Sequence, residues 1–260
     1  MIENYIALDL ETTGLHPSED RILEIGAVKV VNGEITDRYE TLVNPGMAIS
    51  PRIQALTGIN NAIAATGKDT KTAVTELIDF CGDLPLLGHN ILFDYSFVKK
   101  NAVNLGLTFE KDGVDTLKIA RTLLPDLEHK NLPYLCGYYQ ITQERAHRAS
   151  DDACAAMELY RRLAAEFPDS PEELFAPKPL ICKVKKQGPI TPAQKGYLND
   201  LIKYHKISLS VQIDTLTKNE ASRLIDKIIS WYGRIVRWTG TIRKAEKLFP
   251  RLSSSSWYWP

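Results

Sequence analysis

With 260 residues, 44% of them hydrophobic and 25% charged, the chain has the make-up of a globular protein and the length for one medium domain plus a small one. Every apolar run is broken well short of the ~18 residues that a membrane-spanning helix needs, Met1–Asn4 has no basic signal-peptide region, and Cys81, Cys136, Cys154 and Cys182 form no CxxC pair. These features exclude a membrane span, a disulfide frame and a zinc–thiolate site, and they lead us to expect free thiols in a reducing, cytoplasmic setting.

A net charge of zero hides two unlike parts. Residues 1–177 carry 16 Lys+Arg against 27 Asp+Glu, and residues 178–260 carry 16 against 5. The split, minus 11 against plus 11, predicts two units with different tasks. The second has the electrostatics of a segment that meets polyanions; a solvated lysine-rich face, or a basic unit docked on the acidic one, would carry the same charge.

The chain opens with an apolar strand from Tyr5 that ends in Asp9-Leu10-Glu11-Thr12. A second strand follows over Arg21–Val31, and Asn32-Gly33 predicts a hairpin turn into a third over Glu34–Asn44. Pro51–Gly58 reads as a short helix, Thr70–Cys81 as a longer one, and Leu84–Leu87 as a short buried strand that delivers Gly88-His89-Asn90 to a helix ending near Leu105. Gly113–Leu117 is another short strand, running into a helix that Pro125 stops. Helices are then predicted over Asn131–Tyr139 and Arg148–Phe167, the latter with Ala153, Ala156, Met157, Tyr160 and Leu163 on one side. This order gives an α/β fold, a mixed sheet flanked by helices, with ligands expected at the strand ends.

The proline- and lysine-rich stretch 169–189 separates this first unit, residues 1–168, from a basic helical module over 190–233. In the module, Thr191-Pro192-Ala193-Gln194 and Thr217-Lys218-Asn219-Glu220 read as capping boxes. Apolar stripes follow each, Tyr197, Leu198, Leu201 and Ile202 on the first helix and Ala221, Leu224, Ile225, Ile228, Ile229 and Tyr232 on the second. Residues 234–260, basic and aromatic at the end, are expected to be poorly ordered.

The residues suited to chemistry sit at element boundaries. Asp9 and Glu11, two apart on a strand, share one face. Asp94 stands at a helix start, and Asp152 in the first turns of the long helix, five residues after His147. Four carboxylates without sulfur ligands suit Mg²⁺ or Mn²⁺. Two such ions ~4 Å apart activate a water and stabilise a leaving oxygen in phosphodiester cleavage, and a histidine can take that water's proton near neutrality. Read singly, Asp94 and Asp152 would be helix N-terminal acids, His89 a structural hydrogen-bonder and Asp115 a cap on the helix that begins at Thr116.

Asp9–Leu15 (DLETTGL), His89–Asp94 (HNILFD) and His147–Asp152 (HRASDD) resemble the three motifs of the DEDDh exonucleases. Val114–Pro125 and the NPG, LTGI and NLPYLC stretches resemble the epsilon-subunit and PolC-type proofreading domains of bacterial replicative polymerases. The resemblance covers about residues 2–167 and implies an RNase H-like fold with metal-dependent 3′ to 5′ removal of nucleoside monophosphates, mainly from single-stranded DNA ends. It implies that Asp9, Glu11, Asp94 and Asp152 hold two Mg²⁺ or Mn²⁺ ions, that His147 is the general base, and that Thr12, Thr13, Leu15, Asn90 and Phe93 contact the terminal nucleotide. Asp151, beside Asp152, is the competing aspartate. Trimming of RNA 3′ ends with the same site is one alternative, and a non-catalytic platform for a DNA polymerase is another; the resemblance makes a DNA polymerase subunit a candidate protein partner beside the single-stranded DNA ends, and no membrane is expected.

Overall fold

The computed structural model, which describes residues 1–142 and 148–235, divides the chain into two units, Met1–Lys186 and Gln187–Pro260. The first begins with an antiparallel meander of β1 (Tyr5–Thr12), β2 (Ile22–Val31) and β3 (Glu34–Leu42). Its β2–β3 turn uses positive φ at both Asn32 (52°) and Gly33 (78°), the conformation that lets a two-residue loop follow the twist of the strands. Then come α1 (Pro51–Thr57), α2 (Asn61–Ala64), α3 (Thr70–Cys81), β4 (Leu86–Gly88), α4 (Ile91–Leu105), β5 (Asp112–Asp115), α5 (Thr116–Leu123), α6 (Leu132–Tyr139), α7 (Ala149–Glu166), α8 (Glu172–Phe175) and β6 (Lys178–Pro179).

The sheet runs β3-β2-β1-β4-β5-β6, with β1, β4 and β5 parallel and the remaining pairs antiparallel. Alternation along β1 divides the core. Tyr5 and Ala7 face α6 and α7 and pack with Leu135, Ala153, Met157 and Tyr160. Ile6, Leu8 and Leu10 face α3 and α4 and pack with Val74, Leu77, Tyr95 and Val98. The stripe expected on the long helix, from Ala153 to Leu163, is buried. The four cysteines are free thiols.

The proline-rich stretch differs from a plain linker up to Lys186, where the first unit ends. Its residue Phe175 packs against Tyr160, ring centroids 5.8 Å apart, and accepts the Tyr160 hydroxyl on its carbonyl. Leu180 is buried against Gly113, and its N–H donates to the Lys111 carbonyl, which sets the two-residue edge strand β6 beside β5. Prolines interrupt the strand pattern here, and two apolar anchors hold it in place regardless.

The second unit consists of α9 (Pro192–His205), a single 3₁₀ turn (Ile213–Thr215) and α10 (Lys218–Tyr232). Both capping boxes form, with reciprocal side-chain and backbone bonds between Thr191 and Gln194 and between Thr217 and Glu220. Its buried core is small: Leu198, Leu201, Leu216, Ala221 and Ile228. Tyr197 and Tyr232, expected on the apolar stripes, stand exposed instead, because each stripe is wider than the face its neighbour covers. Of the tail 234–260, all but Arg234 and Ile235 lies outside the described residues. Among the described residues no helix is long and apolar enough to cross a membrane.

Candidate active site

The site grows from a mismatch in strand length. β1 pairs with β4 only through Ile6 and Ala7, opposite Leu86 and Leu87, and then runs on to Thr12 after β4 has given way to α4. The N–H of Leu10, which no longer has a strand carbonyl across from it, donates to Asp94 Oδ1 at 3.0 Å. Asp94, in the first turn of α4 and buried, thereby ties the helix to the strand end. Asn90 makes the sharp turn out of β4 in the left-handed region (φ 69°), which asparagine tolerates better than most residues. Asp115 fixes the same turn from the side: its Oδ1 accepts the N–H of Asn90 at 2.9 Å and the N–H of Leu117 at 3.0 Å, so one carboxylate anchors the starts of α4 and α5. His89 lies between the Thr116 hydroxyl (3.0 Å) and the Lys130 carbonyl (2.8 Å), and burial pushes its pKa down, as fits a neutral structural ring.

On the opposite side of β1, Asp9 and Glu11 meet Asp152 from α7. Each offers a carboxylate oxygen, and these oxygens lie within 4.8 Å of one another. The neighbouring Asp151 is not part of this group. The charges are costly as they stand. Asp9 is held well above the usual carboxylate range, first by loss of solvent and then by Asp94, Asp152 and Glu11. Glu11 is raised to about 7, again by burial first, then by Asp152 and Glu24, with Arg148 opposing. Asp94 is raised well above its ordinary value by burial, against the pull of its backbone hydrogen bonds. An oxygen-only donor set in which like charges crowd together fits a hard divalent cation, whose charge would remove the repulsion.

What brings α7 so close to β1 was not read from the sequence. Gly26 lies opposite Asp9, and a Cβ there would fall 2.2 Å from the backbone of Ala149 and Ser150, so only a bare Cα admits the first turn of α7. Glu24 lies opposite Glu11 and is wholly buried; it receives Arg148 Nε at 2.9 and 3.1 Å and the N–H of Ala149 at 3.1 Å. Arg148 thus neutralises the buried Glu24, and the same carboxylate caps the N-terminus of α7. Arg148 also reaches Glu40 on β3 at 3.3 Å. The sequence signal is the Glu24-Ile25-Gly26 run, whose glycine interrupts a strand rich in β-branched residues.

The remaining expected residues are distributed around this centre. The Thr12 hydroxyl donates to the Gly14 carbonyl at 2.7 Å; Thr13 Oγ1 lies 3.2 Å from Asp20 and accepts the N–H of Arg21 at 2.9 Å, so both shape the β1–β2 loop. From that loop Leu15 projects with 76% of its surface exposed. Phe93 is partly buried and packs against Phe97. His147 lies outside the described residues.

The exonuclease family model matches residues 6–160. DNA polymerase III PolC-type from Caldanaerobacter subterraneus subsp. tengcongensis is 38% identical over 159 residues, 61% of this chain but only 11% of that protein. DNA polymerase III subunit epsilon from Aquifex aeolicus is 31% identical over 164 residues, 63% of this chain and 81% of that one. E. coli exonuclease I, solved in complex with a dT13 oligonucleotide, superposes with a TM-score of 0.59 at 18% identity over 65% of this chain and 42% of its own, a likeness of fold. The chain therefore spans about a tenth of the length of the PolC-type relatives it matches, and the family match ends before the second unit begins.

Proposed function

The chain belongs to the exonuclease family, and from that premise we propose that it is a metal-dependent 3′ to 5′ exonuclease that releases nucleoside monophosphates from single-stranded DNA ends. The observation that carries this reading is the convergence of Asp9, Glu11 and Asp152, from β1 and α7, on one point. These three would hold the divalent ions, Mg²⁺ or Mn²⁺. Asp94, with one oxygen engaged by Leu10, would complete the set through its other oxygen. A pair of such ions supplies a more acidic water and charge stabilisation at the leaving 3′ oxygen.

The protein's own groups do the rest. His147 takes the proton from the attacking water, as the spacing to Asp152 and the resemblance to the DEDDh motif suggest. Leu15, exposed in the β1–β2 loop, would press against the terminal base, and Asn90 and Phe93, at the start of α4, would line the wall beside it. Thr12 and Thr13 hold that loop and keep lone pairs for the terminal nucleotide. The relatives named as DNA polymerase III proteins support association of this chain with a polymerase, in a proofreading role.

The test is release of mononucleotides from a 3′-labelled single-stranded DNA oligonucleotide by the purified chain with Mg²⁺ or Mn²⁺, alongside an RNA of the same sequence. The expected result is cleavage of DNA that Asp9→Ala reduces by roughly a thousandfold or more. Unchanged release in Asp9→Ala, or none by the parent protein with either metal, overturns the proposal.

A further inference from the structure

Beyond the residues that the family model matches, the second unit carries an exposed aromatic and basic surface. At one end of it the C-terminal turns of α9 and α10 meet, joined by a 3.0 Å hydrogen bond between His205 Nε2 and the carbonyl of Gly233. Three rings form a row there. Tyr204 stands edge-on to His205, centroids 4.8 Å apart, and His205 lies 5.6 Å from Tyr232 at an angle of 37°. Tyr204 is 49% and Tyr232 50% exposed, and the neighbouring Trp231, with Lys227 Nζ 4.9 Å from its ring centroid, is 57% exposed.

Charge gathers at the same end. Lys203 and Lys206 flank Tyr204 and His205 in sequence, Arg234 stands two residues after Tyr232, and each of these three cations is exposed. Away from it, charges are matched differently: Lys195, in the first turn of α9, pairs with Asp214, and Glu220 closes the N-terminal cap of α10. Cations beside helix C-termini are explained well enough by the partial negative charge of the terminal carbonyls. Half-exposed aromatic rings are not. Among the described residues the core of this unit buries five side chains fully, while Tyr204 and Tyr232 keep about half their surface in solvent.

We propose that this end of the second unit binds single-stranded DNA, with unpaired bases stacking on Tyr204, Tyr232 and Trp231 and the backbone phosphates meeting Lys203, Lys206 and Arg234. The pairing of flat apolar rings with interspersed cations suits a strand whose bases are free to stack and whose backbone is anionic. A duplex offers the same phosphates with its base faces hidden, and a protein partner would have to be strongly acidic to match the cations. The proposal rests on the exonuclease reading only for the choice of DNA as the nucleic acid.

The experiment measures equilibrium binding of fluorescein-labelled oligothymidylates to the full chain in EDTA, which removes divalent ions and with them any cleavage. A 20-mer, a 4-mer and a 20-bp duplex are compared for the parent, for Tyr204→Ala with Trp231→Ala, and for the ring-retaining pair Tyr204→Phe with Trp231→Phe. The expected result is a loss of about ten- to a hundredfold in affinity for the single-stranded 20-mer with the alanine pair, little change with the phenylalanine pair, and little change for the duplex. Equal affinity of the alanine pair and the parent for the 20-mer overturns the proposal and assigns the rings to a protein partner or to residues 236–260. An equal loss for the duplex overturns it too, since that would mean charge alone, or general damage, set the binding. Because nothing is cleaved in EDTA, a protein that binds as expected yet fails to release nucleotides with metal refutes the exonuclease reading and leaves this one standing.

Discussion

The acidic centre of the first unit and the aromatic end of the second hold the side chains proposed to act there by opposite means. Asp9, Glu11 and Asp152 are gathered by a twisted sheet with two well-filled faces, and the seat under α7, made by Gly26 and Glu24, brings together residues more than 120 apart in sequence. Tyr204 and Tyr232 hang from the ends of two helices around a core that, among the described residues, has five buried side chains. The first arrangement forces like charges together and needs stiffness to do so; the second leaves apolar surface in water and needs only two helix ends in register. The difference shows that a site can draw on the stability of the fold around it or stand almost outside it.

That contrast can be broken on either side. The largest effect is expected from Arg148→Met, which strands the Glu24 carboxylate, 1% exposed, while its own side chain is 28% exposed. Breaking such a pair from the exposed partner costs about 3–5 kcal/mol, read as a fall in the chemical denaturation midpoint. Glu24→Gln, which leaves Arg148 able to turn to water, should cost less. A larger loss in Glu24→Gln than in Arg148→Met would show that the helix cap, not the ion pair, holds α7. In the second unit, Leu198→Ala removes a wholly buried side chain and should cost about 3 kcal/mol. With so small a core that is enough to unfold the unit alone, and the check is protease cleavage after residue 187 with nucleotide release retained. Loss of both together would mean that the two units do not fold independently.

The sequence disclosed the parts of this molecule whose signals are local. Asn32-Gly33 announced the hairpin, the two Thr-x-x-Gln/Glu boxes announced the starts of α9 and α10, and a period of two in β1 put Asp9 and Glu11 on one face. What escaped were contacts between distant stretches. The edge strand β6 depends on Leu180 lying against Gly113, a pairing that two residues beside a proline cannot advertise. The seat of α7 depends on a glycine and a glutamate whose partners come about 120 residues later. Choosing Asp152 over Asp151 rested on motif spacing, and only the fold shows which of the two faces Asp9. Tyr197 and Tyr232 fit the apolar periodicity of α9 and α10 yet stand exposed, because periodicity counts apolar residues and not the breadth of surface that the neighbouring helix covers.

The central claim, that these carboxylates are a cation site, is most directly tested by thermal unfolding across pH with and without metal. Glu11 has a folded-state value of about 7 against an ordinary 4.5, and Asp9 and Asp94 are raised as well. A raised carboxylate binds its proton more tightly when folded, so its contribution is present below the unfolded value and is lost as pH rises through the folded one. Between about pH 4.5 and 7 the chelated protein should therefore lose stability from this cluster, up to about 3 kcal/mol from Glu11 alone. Mn²⁺ should restore the loss at pH 8, where the oxygens are charged, and do little at pH 5, where protons compete for them. The account predicts a rise in Tm with Mn²⁺ at pH 8 that Asp9→Asn abolishes. An equal rise in Asp9→Asn, or the same rise at both pH values, would contradict it.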